Sequence, residues 1–388
     1  MEPYTHPDYY LIDDLLTEEE KLIRSSVREF VDQRVLPVLP KCFRDERFPM
    51  ELVPEIASLG LLGANLEGYG CAGLGNVAYG LILQELERGD SGLRSFVSVQ
   101  GSLAMYAIHS HGSAAQKERW LPRMARGELI GCFGLTEPDF GSNPGGLQTR
   151  AERSGAEYIL SGNKMWITNG SIADLAVVWA REEGRIAGFI VEKGAPGFTT
   201  TVQKGKWSLR ASVTSELHFQ ECRIPASNKL PGALGLKAAL SCLDQARAGI
   251  SWGALGSAMA CYAEALQYAK TRIQFGRPIG AFQLVQAKLV EMLTEITKGQ
   301  LVSLRLAQLK DQGKSRPEMV SLAKRNNVAM ALEVARMARD ILGANGITDE
   351  YCVGRHMANL ESVKTYEGTH DIHTLIIGAD LTGHPAFS

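Results

Sequence analysis

Hydrophobic positions recur at helical spacing at both ends of the chain and in short alternating runs in its middle. Near the start, Thr17 precedes three glutamates in a capping-box pattern, and Ile23, Val27, Phe30 and Val31 follow at helical spacing. Further helices are predicted over residues 50–66, 77–87 and 114–125. Residues 1–130 therefore predict an all-α domain.

Residues 131–235 show short β-rich runs separated by glycines. The predicted strands include residues 158–160, 175–179, 188–191 and 199–202. Leu217 and Phe219 alternate with polar neighbours, as in a half-buried strand. This pattern predicts a small antiparallel β domain.

Long periodic segments return in residues 236–388. Helices are predicted over residues 238–273, 283–311, 317–342 and 371–382, and their short connections favour a four-helix bundle. The whole chain thus predicts an α+β fold of three domains, in the order helical, β, helical.

Composition narrows the functional classes. The chain has 388 residues, of which 45% are hydrophobic and 22% charged, and its net charge is -2. No apolar run is long enough for a membrane span, and no basic footprint indicates nucleic acid, so small molecules or proteins are the expected partners. The seven cysteines form no C-x-x-C pair, and the acidic N-terminus lacks signal-peptide features. We therefore expect a reducing compartment, either bacterial cytoplasm or, for a processed chain, the mitochondrial matrix.

The segment TYEGTHD (365–371) places Glu367 between an aromatic ring and a glycine. Tyr366 can shield the carboxylate from water, which raises its proton affinity, and Gly368 leaves room for a substrate to approach the backbone. The pattern is typical of a general base that removes a proton from carbon. A solvated glutamate at a turn is the alternative interpretation.

Three other segments contain groups that can bind a ligand. CFGLTEPDFGS (132–142) runs from an apolar strand end into hydroxyls and glycines, so it can hydrogen-bond a planar heterocycle or simply form an interdomain turn. Trp166, in KMWITN (164–169), is either an aromatic wall or a core residue. Arg94 is either a solvated cation that pairs with a nearby acid, such as Glu87, or a fork for a substrate carboxylate.

Two further motifs do not fit their context. GYGCAG (68–73) matches a dinucleotide-binding pattern, but it follows a predicted helix rather than a buried strand. His109 and His111 share a face only in an extended chain, and His370 and His373 have no third ligand nearby in sequence, so we expect no metal site.

Five segments, in order, resemble the acyl-CoA dehydrogenase family over the whole chain. They are CFGLTEPDFGS, KMWITN, TRIQFGRPI followed by Gln283, DILGANGI and TYEGTHDIH. Leu93-Arg94-Ser95 together with TYEG resembles the glutaryl-CoA branch of that family. The resemblance implies a flavoenzyme in which Glu367 removes the α-proton of an acyl-CoA while the β-hydrogen leaves as a hydride to FAD. Asn143 stands where the family often has Asp, and Ala344 stands where a second glycine is common.

The resemblance also implies binding residues. For FAD it implies Phe133, Leu135, Thr136, Gly141, Ser142, Trp166, Ile167, Thr168, Phe275, Thr369, Asp371 and Phe387. A second FAD set matches positions that the family contributes from a neighbouring subunit: Arg272, Gln283, Asp340, Ile341, Leu342, Gly343 and Ala344. Such shared sites imply a homotetramer. For the CoA thioester it implies Ser142, Leu243, Arg247 and Gly368, and for the distal carboxylate Arg94 and Ser95.

On this resemblance the expected substrate is glutaryl-CoA, the products are crotonyl-CoA and CO2, and the electron acceptor is an electron-transferring flavoprotein. A non-decarboxylating glutaryl-CoA dehydrogenase, another short-chain acyl-CoA dehydrogenase, an acyl-CoA oxidase and a non-catalytic scaffold remain alternatives. Arg94 favours a diacid substrate, and Glu367 argues against a scaffold.

Overall fold

The computed structural model describes residues 7–387, which follow the predicted order of a helical, a β and a helical region. In the N-terminal region the described α-helices α1 to α7 span Glu18–Phe30, Leu39–Arg44, Val53–Ser58, Asn76–Gly89, Ser91–Ser98, Tyr106–His111 and Ala114–Ala125. Thr17 forms the predicted capping box with Glu20 at the start of α1. The predicted helix over residues 50–66 is wrong after Ser58, because Gly60 and Gly63 take positive φ and turn the chain.

The middle region is an eight-stranded sheet. Strands β1 to β8 span Gly131–Gly134, Arg150–Ser154, Glu157–Thr168, Leu175–Glu182, Arg185–Glu192, Phe198–Val202, Thr214–Pro225 and Lys229–Leu234. Their order is β6-β7-β3-β2-β4-β5-β8, and β1 pairs with β4. Most neighbouring strands pair antiparallel, as predicted, but β1 runs parallel to β4, and β2 pairs with β4 in parallel at one residue pair. No tight turn joins β1 to β4, so no hairpin imposes an antiparallel direction on them.

The C-terminal region begins with the long helix α8 (Leu236–Thr271) and a short hairpin of β9 (Ile273–Gln274) and β10 (Arg277–Pro278). Helices α9 (Gln283–Asp311) and α10 (Pro317–Leu342) begin and end at the predicted residues. Helices α11 (Val353–Thr365) and α12 (His370–Thr382) complete the described region.

Helix α11 was not predicted, so the C-terminal region has five described helices instead of four. Its buried face includes His356 and Asn359 beside Val353, Leu360 and Val363. Polar residues at buried positions break the apolar periodicity by which a helix is recognised in a sequence.

Helix α8 joins the two helical regions because it packs against both α4 and α10. The loop between α11 and α12 therefore lies close to residues from both regions and from the sheet. Within residues 7–387, no helix is both long and apolar enough to cross a membrane.

Candidate active site

A cavity of about 970 Å³ lies where the three regions meet. Its volume is at the upper end of the range for small-molecule sites. Most of the residues predicted for the base, the thioester and one face of the cofactor line it. They are Ser95, Phe133, Leu135, Thr136, Gly141, Ser142, Trp166, Ile167, Thr168, Leu243, Arg247, Glu367, Gly368 and Thr369.

The base loop, residues 366–369, connects α11 to α12. Helix α11 ends at Thr365, and α12 is capped by Thr369, whose hydroxyl accepts a hydrogen bond from the Ile372 N–H at 3.1 Å. Between these ends Glu367 has a φ of 52° and Gly368 a φ of 94°. A left-handed conformation costs a non-glycine residue about 1–2 kcal/mol, so the surrounding contacts must hold Glu367 in place.

Two cations hold the carbonyl groups of this loop. The Lys324 ammonium on α10 donates to the carbonyl oxygens of Tyr366 and Gly368, each at 2.5 Å. The Arg247 Nε on α8 donates to the carbonyl oxygen of Glu367 at 2.7 Å. The prediction placed Arg247 beside the thioester. In the structure it lines the cavity and also holds the backbone of the base.

Gly368 is required by this packing. A Cβ atom built on it would lie 2.9 Å from His373 Nε2 and 3.3 Å from Arg247 Nη2, in addition to the strain of its positive φ. The sequence predicts a glycine here because it leaves access to the backbone. The close approach of α8 and α12 is a second reason why residue 368 is a glycine.

The Glu367 carboxylate is suited to accept a proton. Its Oε2 is buried and has no hydrogen-bond partner among the described residues. Burial raises the pKa of Glu367 above its ordinary value, while the charges of Arg94, Lys324 and Arg247 oppose that rise. This net rise brings the pKa of the carboxyl group closer to neutral pH, where a general base is most effective.

Arg94, on α5, is a buried cation rather than a solvated one, with 1% exposure. Its Nε donates to Glu87 Oε2 at 2.5 Å, and its Nη2 donates to the Tyr366 hydroxyl. Glu87 is also buried and accepts a hydrogen bond from the Ser91 hydroxyl at 2.9 Å. The ion pair with Glu87 that the first sequence interpretation predicts is thus present, but the guanidinium is buried rather than solvated, and the fork for a substrate carboxylate stays a prediction.

Tyr366 separates Arg94 from the cavity. Tyr366 and Ser95 line the cavity, and their hydroxyl oxygens lie 3.3 Å apart. Because the Tyr366 oxygen accepts from Arg94, its own proton is available to another acceptor. Burial raises the pKa of Tyr366 to about 12, so the phenol keeps that proton at neutral pH.

The β-region wall of the cavity combines apolar and hydrogen-bonding groups. Phe133 and Leu135 are buried, whereas Trp166 is 59% exposed and has a φ of 62°, so it is not a core residue. The hydroxyls of Thr136, Ser142 and Thr168 face a cavity and make no hydrogen bond to a described residue. Unpaired hydroxyls beside an exposed indole fit a planar, hydrogen-bonding ring system.

The other predicted cofactor residues lie outside the cavity of this single chain. Arg272, Phe275, Gln283, Asp340, Gly343, Ala344, Asp371 and Phe387 are exposed. The side chains of Ile341 and Leu342 pack in the chain's own C-terminal core, so a cofactor can reach these two residues only at their backbone. The proposed contributions to a neighbouring subunit remain predictions.

The most informative residue that the sequence did not indicate is Lys324. It lies in the periodic segment of α10, where a lysine is normally on the solvated face, yet it is 1% exposed. Tyr366 was considered only as a shield for Glu367, although it also bonds Arg94. Neither role leaves a local sequence signal, since the partners are distant in sequence: Lys324 bonds the base loop, and Tyr366 bonds a residue of α5.

Comparison with known proteins places these features in context. Models of the N-terminal, middle and C-terminal domains of acyl-CoA dehydrogenases match residues 17–128, 132–222 and 234–382. The mitochondrial short-chain specific acyl-CoA dehydrogenase of Rattus norvegicus is 35% identical over 374 residues, which cover 94% of this chain and 90% of that protein.

Two solved structures are more similar in sequence. A glutaryl-CoA dehydrogenase from Mycobacterium smegmatis is 58% identical, with a TM-score of 0.96 and coverage of 97% of this chain and 98% of the other. A glutaryl-CoA dehydrogenase from the same organism in complex with FADH2 is 52% identical, with a TM-score of 0.97 and coverage of 98% of both chains.

Proposed function

The chain belongs to the acyl-CoA dehydrogenase family of FAD-dependent oxidoreductases, and we propose that its substrate is glutaryl-CoA. The observation that carries this proposal is Arg94, a buried cation one side chain away from the cavity that contains Glu367. Similarity to glutaryl-CoA dehydrogenases at 52% and 58% identity supports it.

Hydroxyl groups connect Arg94 to the substrate carboxylate in this proposal. Tyr366 accepts from Arg94 and can donate its proton to a carboxylate in the cavity, and Ser95 offers a second donor beside it. A fatty acyl chain without a distal carboxylate would place its terminal methyl group against these donors and leave them unpaired, which disfavours such substrates.

The reaction begins with proton abstraction by Glu367. Its carboxylate takes the proton from the α-carbon of the thioester, and its backbone N–H donates to the thioester oxygen, which gains negative charge as the proton leaves. When bound, FAD accepts the β-hydrogen together with its electron pair. Thr136, Ser142, Thr168 and Thr369 would hold this cofactor in the cavity.

Decarboxylation follows from the product of that step. The bond between the γ-carbon and the distal carboxylate of glutaconyl-CoA breaks, CO2 leaves, and the electron pair enters the conjugated thioester as a dienolate. Glu367, now protonated, returns its proton to the γ-carbon to give crotonyl-CoA.

We propose an electron-transferring flavoprotein as the acceptor of the two electrons. We also propose a homotetramer as the assembly, which exposed apolar residues such as Phe275 and Leu284 support.

Anaerobic titration of the flavin-loaded protein with glutaryl-CoA tests this proposal. We expect flavin bleaching, and capture of one equivalent of CO2 per turnover once an electron acceptor is added. Bleaching by glutaryl-CoA without release of CO2 would indicate a non-decarboxylating enzyme. Bleaching by butyryl-CoA but not by glutaryl-CoA would indicate a short-chain monoacyl enzyme.

Replacement of Arg94 tests the carboxylate site directly. Arg94→Gln keeps hydrogen-bonding capacity but removes the charge, so we expect kcat/KM for glutaryl-CoA to fall by about 100-fold, the value of a lost charged hydrogen bond. Butyryl-CoA is the matched control, because it lacks the distal carboxylate, and its kcat/KM should fall much less. Equal losses on both substrates would contradict this role of Arg94.

A further inference from the structure

Lys324 is a buried cation that makes no hydrogen bond to a carboxylate. Its side chain is 1% exposed, and its ammonium group bonds the carbonyl oxygens on either side of Glu367. Burial of an ammonium group is unfavourable unless it is compensated, and lysines are rarely buried for packing alone. The position of this charge beneath the base loop therefore needs a functional explanation.

The loop backbone shows what this contact does. The described residues contain no cis peptide bond, so the Tyr366 carbonyl and the Glu367 N–H point in opposite directions across one planar unit. Because Lys324 holds the carbonyl, the N–H is directed away from Lys324. None of the described residues accepts a hydrogen bond from this N–H, although Glu367 lines the cavity. The donor is therefore available to a ligand.

A cation on a carbonyl oxygen also strengthens the N–H of the same peptide. It draws electron density toward the oxygen, so the N–H becomes more positive and donates more strongly. Arg247 does the same for the peptide between Glu367 and Gly368. Three successive carbonyl groups of the base loop thus accept hydrogen bonds from cations.

We propose that Lys324 is a positioning residue for the dehydrogenation: it fixes the Tyr366–Glu367 peptide so that the Glu367 N–H faces the thioester oxygen, and its charge stabilises the enolate that forms there. This inference rests on the proposed function, because it requires an acyl thioester in the cavity. It does not depend on whether the distal end of that thioester carries a carboxylate.

The surroundings of Lys324 make this role sensitive to pH. Glu367 faces it with a negative charge, Arg247 and Arg94 face it with positive charges, and His373 is nearby and neutral, since burial lowers the pKa of His373 to about 3. Burial also lowers the pKa of Lys324 to about 7, with Arg247 and Arg94 adding to the decrease and Glu367 opposing it. The ammonium form is therefore lost as the pH rises through about 7, and we expect a fall in kcat/KM on the alkaline side.

Two substitutions of Lys324 test the proposal in the flavin-loaded enzyme. Lys324→Met keeps the length of the side chain but removes its charge and its donors, so we expect kcat to fall by about 100-fold, as after loss of an oxyanion donor. Lys324→Arg keeps the charge at all accessible pH values. We expect Lys324→Arg to retain most of the activity and to lose the alkaline decrease near pH 7.

Ligand binding supplies a measurement independent of turnover. Acetoacetyl-CoA is a 1,3-dicarbonyl thioester that ionises at its α-carbon, so its affinity reports stabilisation of an enolate. By calorimetry, we expect Lys324→Met to weaken its binding by at least about tenfold while the affinity for free CoA stays unchanged. Lys310→Met on α9 is the control for removal of a partly buried lysine, because Lys310 bonds the neutral side chain of Gln245 outside the cavity.

The outcomes separate this proposal from the proposed function. If the wild-type enzyme oxidises butyryl-CoA and not glutaryl-CoA, the substrate assignment fails, and Lys324 is tested with butyryl-CoA. If Lys324→Met keeps wild-type kcat and acetoacetyl-CoA affinity, the role of Lys324 is overturned. If Lys324→Met does not fold, Lys324→Arg decides: an alkaline decrease that stays near pH 7 would overturn the proposal.

Discussion

Two glutamates, Glu137 and Glu367, have opposite environments although each has a buried lysine nearby. Glu137 accepts hydrogen bonds from the Lys164 ammonium at 2.8 Å, the Thr149 N–H at 2.9 Å and the Gln148 N–H at 2.6 Å. Glu367 has a buried Oε2 without a partner among the described residues. A carboxylate with its hydrogen bonds satisfied is structural, whereas one without them is available for chemistry.

The pKa values follow the same division. Burial raises the pKa of Glu137, but Lys164 and the N–H of Gln148 outweigh that effect, and the net pKa is lowered. At Glu367 burial prevails, and the pKa is raised. The positions of the lysines account for much of the difference, because Lys164 bonds the carboxylate directly while Lys324 bonds the backbone on either side of Glu367.

The largest expected effect comes from removing the charge of Glu367. Glu367→Gln keeps the shape of the side chain but cannot accept the α-proton, so we expect kcat to fall on the order of 10⁴-fold, the upper range for a general base. Single-turnover flavin bleaching with glutaryl-CoA measures this loss. Flavin content and affinity for free CoA should stay the same, and a loss of less than tenfold would show that another group takes the proton.

The second effect concerns stability and belongs to Glu137. Glu137→Gln leaves the buried Lys164 ammonium without its counter-charge, so we expect a loss of about 3 kcal/mol in the free energy of unfolding, as for other broken buried ion pairs. Urea unfolding of the flavin-loaded protein measures it.

A double substitution sharpens this second prediction. Glu137→Gln combined with Lys164→Met removes both charges. The double variant should therefore lose less free energy of unfolding than the sum of the losses in the two single variants. Simple additivity would show that Glu137 and Lys164 do not stabilise each other.

The contrast between the two glutamates also shows how far the sequence reaches. Glu367 could be identified because a carboxylate between Tyr366 and Gly368 is a local pattern, and Arg94 because it occurs in a recognisable motif. Lys324 could not be identified, since its hydrogen bonds join α10 to the loop after α11, and α11 itself was not predicted.

Other parts of the site depend on more than one chain. Arg272, Gln283 and Asp340 were predicted to reach a neighbouring subunit, and in the single chain they are exposed. The periodicity of α9 and α10 predicts the helices that carry Gln283 and Asp340. It contains no information on which exposed side chains approach a second copy of the chain.

The smallest expected effect is the pH dependence of stability, which should have opposite signs at the two glutamates. The folded-state pKa of Glu137 lies below the ordinary value of 4.5, so its contribution to stability is present above pH 4.5 and is lost as the pH falls through the folded-state pKa. The folded-state pKa of Glu367 lies above 4.5, so ionisation of Glu367 destabilises the protein as the pH rises through that pKa. Urea unfolding between pH 3 and pH 8 should therefore show Glu137→Gln approaching the wild type at low pH. Glu367→Gln should instead become the more stable protein at high pH, by about 1 kcal/mol or less, the lower range for a buried group without a partner. If both differences from the wild type change with pH in the same direction, the two carboxylates do not differ in the way that their hydrogen bonds indicate.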